Sequence, residues 1–326
     1  MYEKILVTLD GSAAAENVLP YVEEIAGKFG SQVILVSVSE FNICDLEHLY
    51  QSYLGKTIEQ LERDIKTYPG IKEVHVLSEV LAGDPAKEIL RYADETGVDL
   101  IALTSRGSSG EGPWLLGNIS AKILRATRHP VMLIRRPASE EALTQKKLIK
   151  RILAPLDGSE LGKSALSSAE MLARTLGAEI VLYQVVMPLE IHSIYPPPPY
   201  IPPDQTLVTE SPPSQSKSGE TYSIYATPAP LPTRDFRRIN EMAMTYLESV
   251  GKPLKENDVK VSIAIGFGYP ADEIIDYAKR NNVDLIVVSS HGQSGLRRWV
   301  WGGVTGKLVH AGDTPIMVVR AGKVPS

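Results

Sequence analysis

The 326-residue chain is predicted to be an α/β protein made of two tandem, doubly wound domains, each on a five-stranded parallel sheet. Three observations predict this. Short, continuous apolar runs alternate with segments of helical period, the pattern of strands buried under helices on both faces. The chain also repeats itself: "KILVTLDGS" at 4–12 returns as "RILAPLDGS" at 151–159, an offset of 151 − 4 = 147. A second block, "GDPAKEILRYADETGVDLIAL" from Gly83, returns as "GYPADEIIDYAKRNNVDLIVV" from Gly268, with 268 − 83 = 185.

The elements of the first copy follow in order. "KILVTL" at 4–9 reads as a strand buried on both faces, and "AAENVLPYVEEIAGKFG" at 14–30 as one helix closed by Gly30. "QVILVSV" at 32–38 is the second buried strand, whereas "EVHVLSEVL" at 73–81 alternates more. A helix begins at the Gly-x-Pro-Ala of Gly83, "VDLIALT" at 98–104 is the fourth strand, and "PVMLIR" at 130–135 the last. Strands alternating with helices at this spacing imply parallel pairing through right-handed crossovers. The boundaries expected are a first domain at 1–137, a polar linker at 138–149 and a second domain at 150–321.

The two offsets differ by 185 − 147 = 38, which locates an insertion in the second copy. It falls at about 187–235, "MPLEIHSIYPPPPYIPPDQTLVTESPPSQSKSGETYSIYATPAPLPTRD". Its prolines remove backbone donors and fix φ, so polyproline II stretches between flexible segments are expected and no regular structure is assigned. The segment reads either as a docking site for a proline-reading protein partner, as a lid, or as a tolerated surface insertion.

Composition narrows the function classes. A 43% hydrophobic and 22% charged chain with a net charge of −5 is that of a globular protein and argues against nucleic-acid binding. The single cysteine, Cys44, excludes an intrachain disulfide framework and reads as a small half-buried hydrophobe. No apolar run approaches the ~20 residues of a membrane-spanning helix, and the β pattern begins too early for a signal peptide. A cytoplasmic protein is expected.

In doubly wound folds, ligands bind beyond the carboxyl ends of the strands, where strand order reverses. Three features of each copy fall there. Asp10 and Asp157 close the first strand in "LDGS", Val38 and Val185 close the second, and "TSRGSSG" and "SSHGQSG" close the fourth and lead into a helix. Glycines such as Gly292, Gly295, Gly302 and Gly303 let backbone N–H groups approach an anion, and the following helix adds its positive end. Ser120 and Thr305 are expected to add hydroxyl donors.

These residues, with "VDLIxxxS" and the closing "ATRHPVMLIRR" and "AGDTPIMVVR", resemble the universal stress proteins in a tandem two-domain form. The resemblance covers most of the chain outside the insertion. It implies Rossmann-like domains of the adenine nucleotide alpha hydrolase type. The ATP-binding branch of that family carries Gly-x2-Gly-x9-Gly-Ser/Thr. The matching positions are Thr104, Gly107, Gly117 and Asn118, then Ile119 and Ser120, in the first copy. In the second they are Ser289, Gly292, Gly302 and Gly303, then Val304 and Thr305. The central spacing holds, since 117 − 107 and 302 − 292 both equal 10. Two elements depart: the first glycine is Thr or Ser, and the final hydroxyl residue is Asn or Gly. By the resemblance, Asp10 and Asp157 face a sugar or a divalent ion such as Mg or Mn, and Val38 and Val185 touch adenine. Each Asp otherwise reads as a turn residue capping the next helix, and each Val as core.

The functions in view are a stress-response protein that binds ATP or another adenine nucleotide as a regulatory ligand, and an interaction protein that has lost that ligand. Slow ATP hydrolysis is the weaker third, for no Walker loop or nucleophile–His–acid arrangement is readable and no catalytic residue is assigned. "GQSGLRRWVWGG" puts Arg297 and Arg298 in the second loop, where the first has Glu111 and Pro113, so the second site is favoured. His291 has Arg106 as its counterpart, and His129 reads as structural. The last strands, "PVMLIRR" and "PIMVVR", are expected to pair with each other as an intramolecular pseudo-dimer, with two chains free to associate further.

Overall fold

The computed structural model describes residues 2–39, 44–105, 116–135, 137–187, 233–290 and 303–320. The first copy runs β1 (Lys4–Thr8), α1 (Ala13–Glu16), α2 (Leu19–Phe29), β2 (Gln32–Ser39), α3 (Cys44–Ile65), β3 (His75–Ala82), α4 (Pro85–Thr96), β4 (Leu100–Thr104), α5 (Asn118–Ala126) and β5 (Val131–Ile134). After α6 (Glu140–Gln145) the series repeats as β6 (Arg151–Pro155), α7 (Glu160–Lys163), α8 (Leu166–Leu176), β7 (Glu179–Val186), α9 (Thr233–Glu256), β8 (Lys260–Phe267), α10 (Pro270–Arg280), β9 (Leu285–Ser289), α11 (Gly303–Ala311) and β10 (Ile316–Val319). The predicted half-buried side chain of Cys44 lies outside the described residues.

All ten strands form one sheet in the order β3-β2-β1-β4-β5-β10-β9-β6-β7-β8. Each half is parallel, and the halves join where β5 meets β10 antiparallel, with Met132 opposite Met317. The expected pairing of the last strands is therefore the seam of the molecule, and it removes two sheet edges. Two apolar layers cover the sheet, one against α2, α3, α8 and α9, the other against α4, α5, α10 and α11. β4 and β5 are buried throughout and β1 through its middle, while β3 at the edge is largely exposed, as its alternation predicts.

A reciprocal exchange of cations reinforces the seam. Arg135, just past β5, donates to the carbonyls of Leu308 (3.0 Å) and Gly312 at the end of α11. Arg320, just past β10, donates to Thr127 (2.8 Å), Leu124 (2.9 Å) and Arg125 (2.8 Å) at the end of α5. Each copy thus caps the last helix of the other with a charge of the sign that a helix carboxyl end favours.

Three sequence expectations are corrected. The single helix at 14–30 is two, α1 and α2, with Pro20 in the first turn of α2. The same break separates α7 from α8, where Ser167 stands at the corresponding position, so the proline is accommodated by the break and does not cause it. The linker at 138–149 is not merely polar, for it holds α6 and buries Leu148 and Ile149. The segment at 187–235 contains the start of α9 at Thr233; positions 188–232 lie outside the described residues.

The 38-residue difference also resolves into two parts. Leu247 and Leu254 bury where Leu54 and Leu61 do, at an offset of 247 − 54 = 193. The second copy is therefore longer by 193 − 147 = 46 before α9 and shorter by 193 − 185 = 8 after it.

Candidate functional site

Strand order reverses between β1 and β4, and again between β6 and β9, so each copy opens a crevice at the carboxyl ends of those strands. The local chemistry there is written twice. Asp10 Oδ1 accepts from the backbone N (3.0 Å) and Oγ (2.6 Å) of Ser12, whose Oγ accepts from Ala15 N (3.1 Å). Asp157 Oδ1 does the same with Ser159 at 3.0 and 2.6 Å, and Ser159 Oγ accepts from Gly162 N at 2.9 Å. The helix caps are thus Ser12 and Ser159, and each Asp fixes its cap instead of capping directly. Gly11 and Gly158 turn the chain at φ of +79° and +83°, which an L side chain resists.

The helix side of the crevice is tied to the strand end. Gly117 N donates to the Ser105 carbonyl at 2.7 Å, and a Cβ on Gly117 would lie 3.2 Å from that oxygen, so the approach suits glycine. Ser120 Oγ donates to the Thr104 carbonyl at 2.9 Å, and Thr305 Oγ1 donates to the Ser289 carbonyl at 2.9 Å. Both bonds span 16 residues, and both bind the first turn of the last helix to the end of the fourth strand. A hydroxyl has one proton, so in this geometry Ser120 and Thr305 offer a ligand an acceptor and not the expected donor.

Thr104 and Ser289 are buried at their strand ends. Val38 and Val185 are half-buried on the layer that faces α4, α5, α10 and α11. Asn118 and Ile119 stand exposed in the first turn of α5, with Ile119 41% exposed, whereas Val304 in α11 packs into the core. Around Gly303 a Cβ would meet none of the described residues within 4 Å. Gly107, Gly292, Gly295 and Gly302 lie outside the described residues, as do Arg106, Glu111, Pro113, His291, Arg297 and Arg298. His129 Nε2 lies 2.9 Å from Asp94 Oδ1, away from the crevice.

Other residues at these strand ends escaped the sequence reading. A cavity of about 170 Å³ beside Thr104 is lined by Ala14, Asn17, Ser105, Ile134 and Arg135. In the first copy, Ser37 Oγ donates to the Leu9 carbonyl at 2.8 Å and the Tyr53 hydroxyl to Glu16 Oε1 at 3.0 Å. Their counterparts are Gln184, at 184 − 147 = 37, and Tyr246, at 246 − 193 = 53. Gln184 Oε1 and the Tyr246 hydroxyl are buried with no partner among the described residues. Applying the offsets to polar residues as well as to the motifs was the signal available for finding them.

Each crevice brings one carboxylate, Asp10 or Asp157, to the strand end. Among the described residues no cluster of three His, Cys, Asp or Glu could hold a metal. That donor set fits a hard divalent ion whose other ligands are phosphate and water, not a cage made by protein alone. A larger cleft of about 830 Å³ lies at the opposite, amino ends of β6 to β9. Its charges are engaged internally: Arg151 pairs with Glu179 at 3.1 Å, and Asp284 accepts the amides of Lys150 and Arg151 at 2.8 and 2.9 Å.

No helix among the described residues is long and apolar enough to cross a membrane. The chain is similar to the stress response protein NhaX of Bacillus subtilis, 32% identical over 174 residues, which are 52% of this chain and 97% of that one. A universal stress protein of Mycobacterium bovis is 23% identical over 251 residues, 76% of this chain and 70% of the other. Among solved structures, a universal stress protein from Archaeoglobus fulgidus superposes with a TM-score of 0.61 at 19% identity, over 99% of this chain and all (100%) of that one. The family model described as the universal stress protein family matches twice, at 1–135 and 148–320. Two matched units, one for each half of the sheet, establish that the chain belongs to the universal stress protein family.

Proposed function

We propose that the strand-end crevices hold ATP or another adenine nucleotide as a regulatory ligand, and that the second copy is the stronger site. The observation that carries this reading is the paired construction at β4–α5 and β9–α11. In both, a buried hydroxyl seats the start of a helix against a strand end, which aims unpaired helix amides over the crevice. Asn118 and Ile119, and Gly302, Gly303 and Val304, then supply phosphate donors, with Gly107 and Gly292 in the approaching loops and Gly117, its amide held by Ser105, fixing the start of the helix. Val38 and Val185 carry the base. Asp10 and Asp157 face the sugar or a Mg or Mn ion brought by the phosphates.

Two features favour the second copy. Arg297 and Arg298 replace Glu111 and Pro113 in its loop. It also keeps buried polar atoms without partners, Gln184 Oε1 and the Tyr246 hydroxyl, where the first copy has satisfied ones. Such atoms are costly in a folded protein unless water or a ligand meets them. The nucleotide state would control association with partners in the cytoplasm, with units at 1–137 and 150–321 about a linker at 138–149.

Mass spectrometry of small molecules released by denaturing fresh protein, followed by calorimetric titration of the emptied chain with ATP, tests the proposal. Released adenine nucleotide, or saturable binding with near-unit stoichiometry, is expected. A blank in both experiments overturns it. The second reading, an interaction protein without nucleotide, is favoured by Thr104 and Ser289 in place of glycine at the strand ends. It predicts that deleting residues 188–232 abolishes partner capture while ATP has no effect.

A further inference from the structure

The two copies differ on the floor beneath Val38 and Val185. In the first, Val36 and Leu81 fill the space with aliphatic side chains. In the second, the corresponding positions are Tyr183, at 183 − 147 = 36, and Gly266, at 266 − 185 = 81. The Tyr183 ring stacks on Tyr277, with centroids 4.4 Å apart and planes at 29°. It reaches across to β8, where its hydroxyl would lie 2.0 Å from a Cβ on Gly266. The missing side chain of Gly266 is therefore what admits the hydroxyl.

That hydroxyl is placed on the rung of interest. Gly266 is the register partner of Val185, and Tyr183 and Val185 share one face of β7. The phenol oxygen thus sits about one strand spacing, ~4.8 Å, from the residue assigned to the base. Tyr183 is only 2% exposed, yet its hydroxyl makes no hydrogen bond to any described residue. Burial pushes its pKa up to about 12, so it stands as a neutral donor and acceptor. Unlike the enclosed Gln184 Oε1 and Tyr246 hydroxyl, the Tyr183 hydroxyl keeps contact with solvent, so it can exchange water for a ligand group.

We infer that the Tyr183 hydroxyl is a specificity-determining contact of the second site, hydrogen-bonding the edge of a purine base that rests on Val185, and that the first site lacks this contact. The inference rests on the nucleotide reading and goes beyond it by separating the two sites in chemistry. A purine spans the distance from Val185 to Gly266, and its edge presents both donors and acceptors to a rotatable hydroxyl. Leu81 and Val36 offer the first site only an apolar floor.

The test uses the full chain and two probes, ATP and ribose 5′-triphosphate, titrated against wild type and Tyr183→Phe. The variant keeps the ring and its stacking. It is expected to bind ATP about fivefold to tenfold more weakly at one site per chain, with ribose 5′-triphosphate unchanged. Gly266→Ala, whose Cβ must push the hydroxyl aside without removing it, should reproduce that pattern. Unchanged ATP affinity in both variants, or equal losses for both probes, overturns the inference and leaves the nucleotide reading standing. A wild-type chain that binds neither probe overturns both.

Discussion

The first copy is a solved packing problem and the second an open one. At the first copy's strand ends Leu81 fills its space, Ser37 bonds to Leu9 and Tyr53 bonds to Glu16. At the second's, Gly266 yields volume to Tyr183, and Gln184 and Tyr246 keep unpartnered atoms. Lys163 stands where the first copy has Glu16, and its ammonium lies 5.5 Å from the Tyr246 ring, a cation–π contact in place of a hydrogen bond. A duplicated fold thus keeps its backbone while one copy gives up internal satisfaction, and polar groups left open under a crevice are the kind that a ligand completes.

Exchanging the two floors should produce the largest effect. Leu81→Gly leaves a cavity and a flexible strand residue, and is expected to cost about 3–5 kcal/mol in denaturant unfolding. Adding Val36→Tyr should recover part of that loss by restoring the second copy's pairing. If the double variant is no more stable than Leu81→Gly alone, the two floors are not equivalent solutions of one space.

The next effect belongs to the first copy alone. Glu24 on α2 is 2% exposed and accepts the amides of Leu148 and Ile149 at 3.0 and 3.1 Å, tying the first copy to the chain that enters β6. Its counterpart is Met171, since 171 − 147 = 24. Burial raises the Glu24 pKa from 4.5 to about 7, against the two amide bonds and Lys147, with Asp284 adding to the rise. A raised carboxyl binds more protons folded than unfolded, so its contribution is full below pH 4.5 and lost as pH rises through 7. Glu24→Gln should flatten the fall in stability between pH 5 and 8 by on the order of 2–3 kcal/mol. Melting temperatures of both proteins at the two pH values check this, and parallel profiles count against it.

Breaking the seam tests whether the copies depend on each other equally. Arg320→Met removes donors from three carbonyls, and Arg135→Met from two. We expect losses of about 2 kcal/mol for Arg320→Met and somewhat less for Arg135→Met, read as denaturant midpoints. The reverse order would mean that the second copy is the one held in place by its neighbour.

The sequence carried the fold further than the site. Both offsets, the buried strands and the glycine close to the Ser105 carbonyl were readable because each is a local pattern or a repeat of one. The burial of Leu148 and Ile149 was not, since a carboxylate more than 120 residues away receives their amides. Arg135 and Arg320 sit one offset apart, at 320 − 135 = 185, yet nothing local to either says that it bonds across the seam. Tyr183 and Gly266 were hidden for a related reason: a large residue and an absent one compensate only once β7 and β8 are in register.

The smallest effect bears most directly on the crevice. Ser120 and Thr305 were expected to donate to phosphate, and the structure instead spends both protons on strand-end carbonyls. Ser120→Ala and Thr305→Val should each cost about 1 kcal/mol of stability, because a buried carbonyl loses its donor. If the hydroxyls serve only to seat the helices, ATP affinity will hardly change while the backbone amides stay in place. A loss of ATP affinity in Thr305→Val, without one in Ser120→Ala, would show the threonine proton turning from Ser289 to a bound phosphate. That outcome would mark the second crevice as the one that rearranges around its ligand, which its unsatisfied interior already favours.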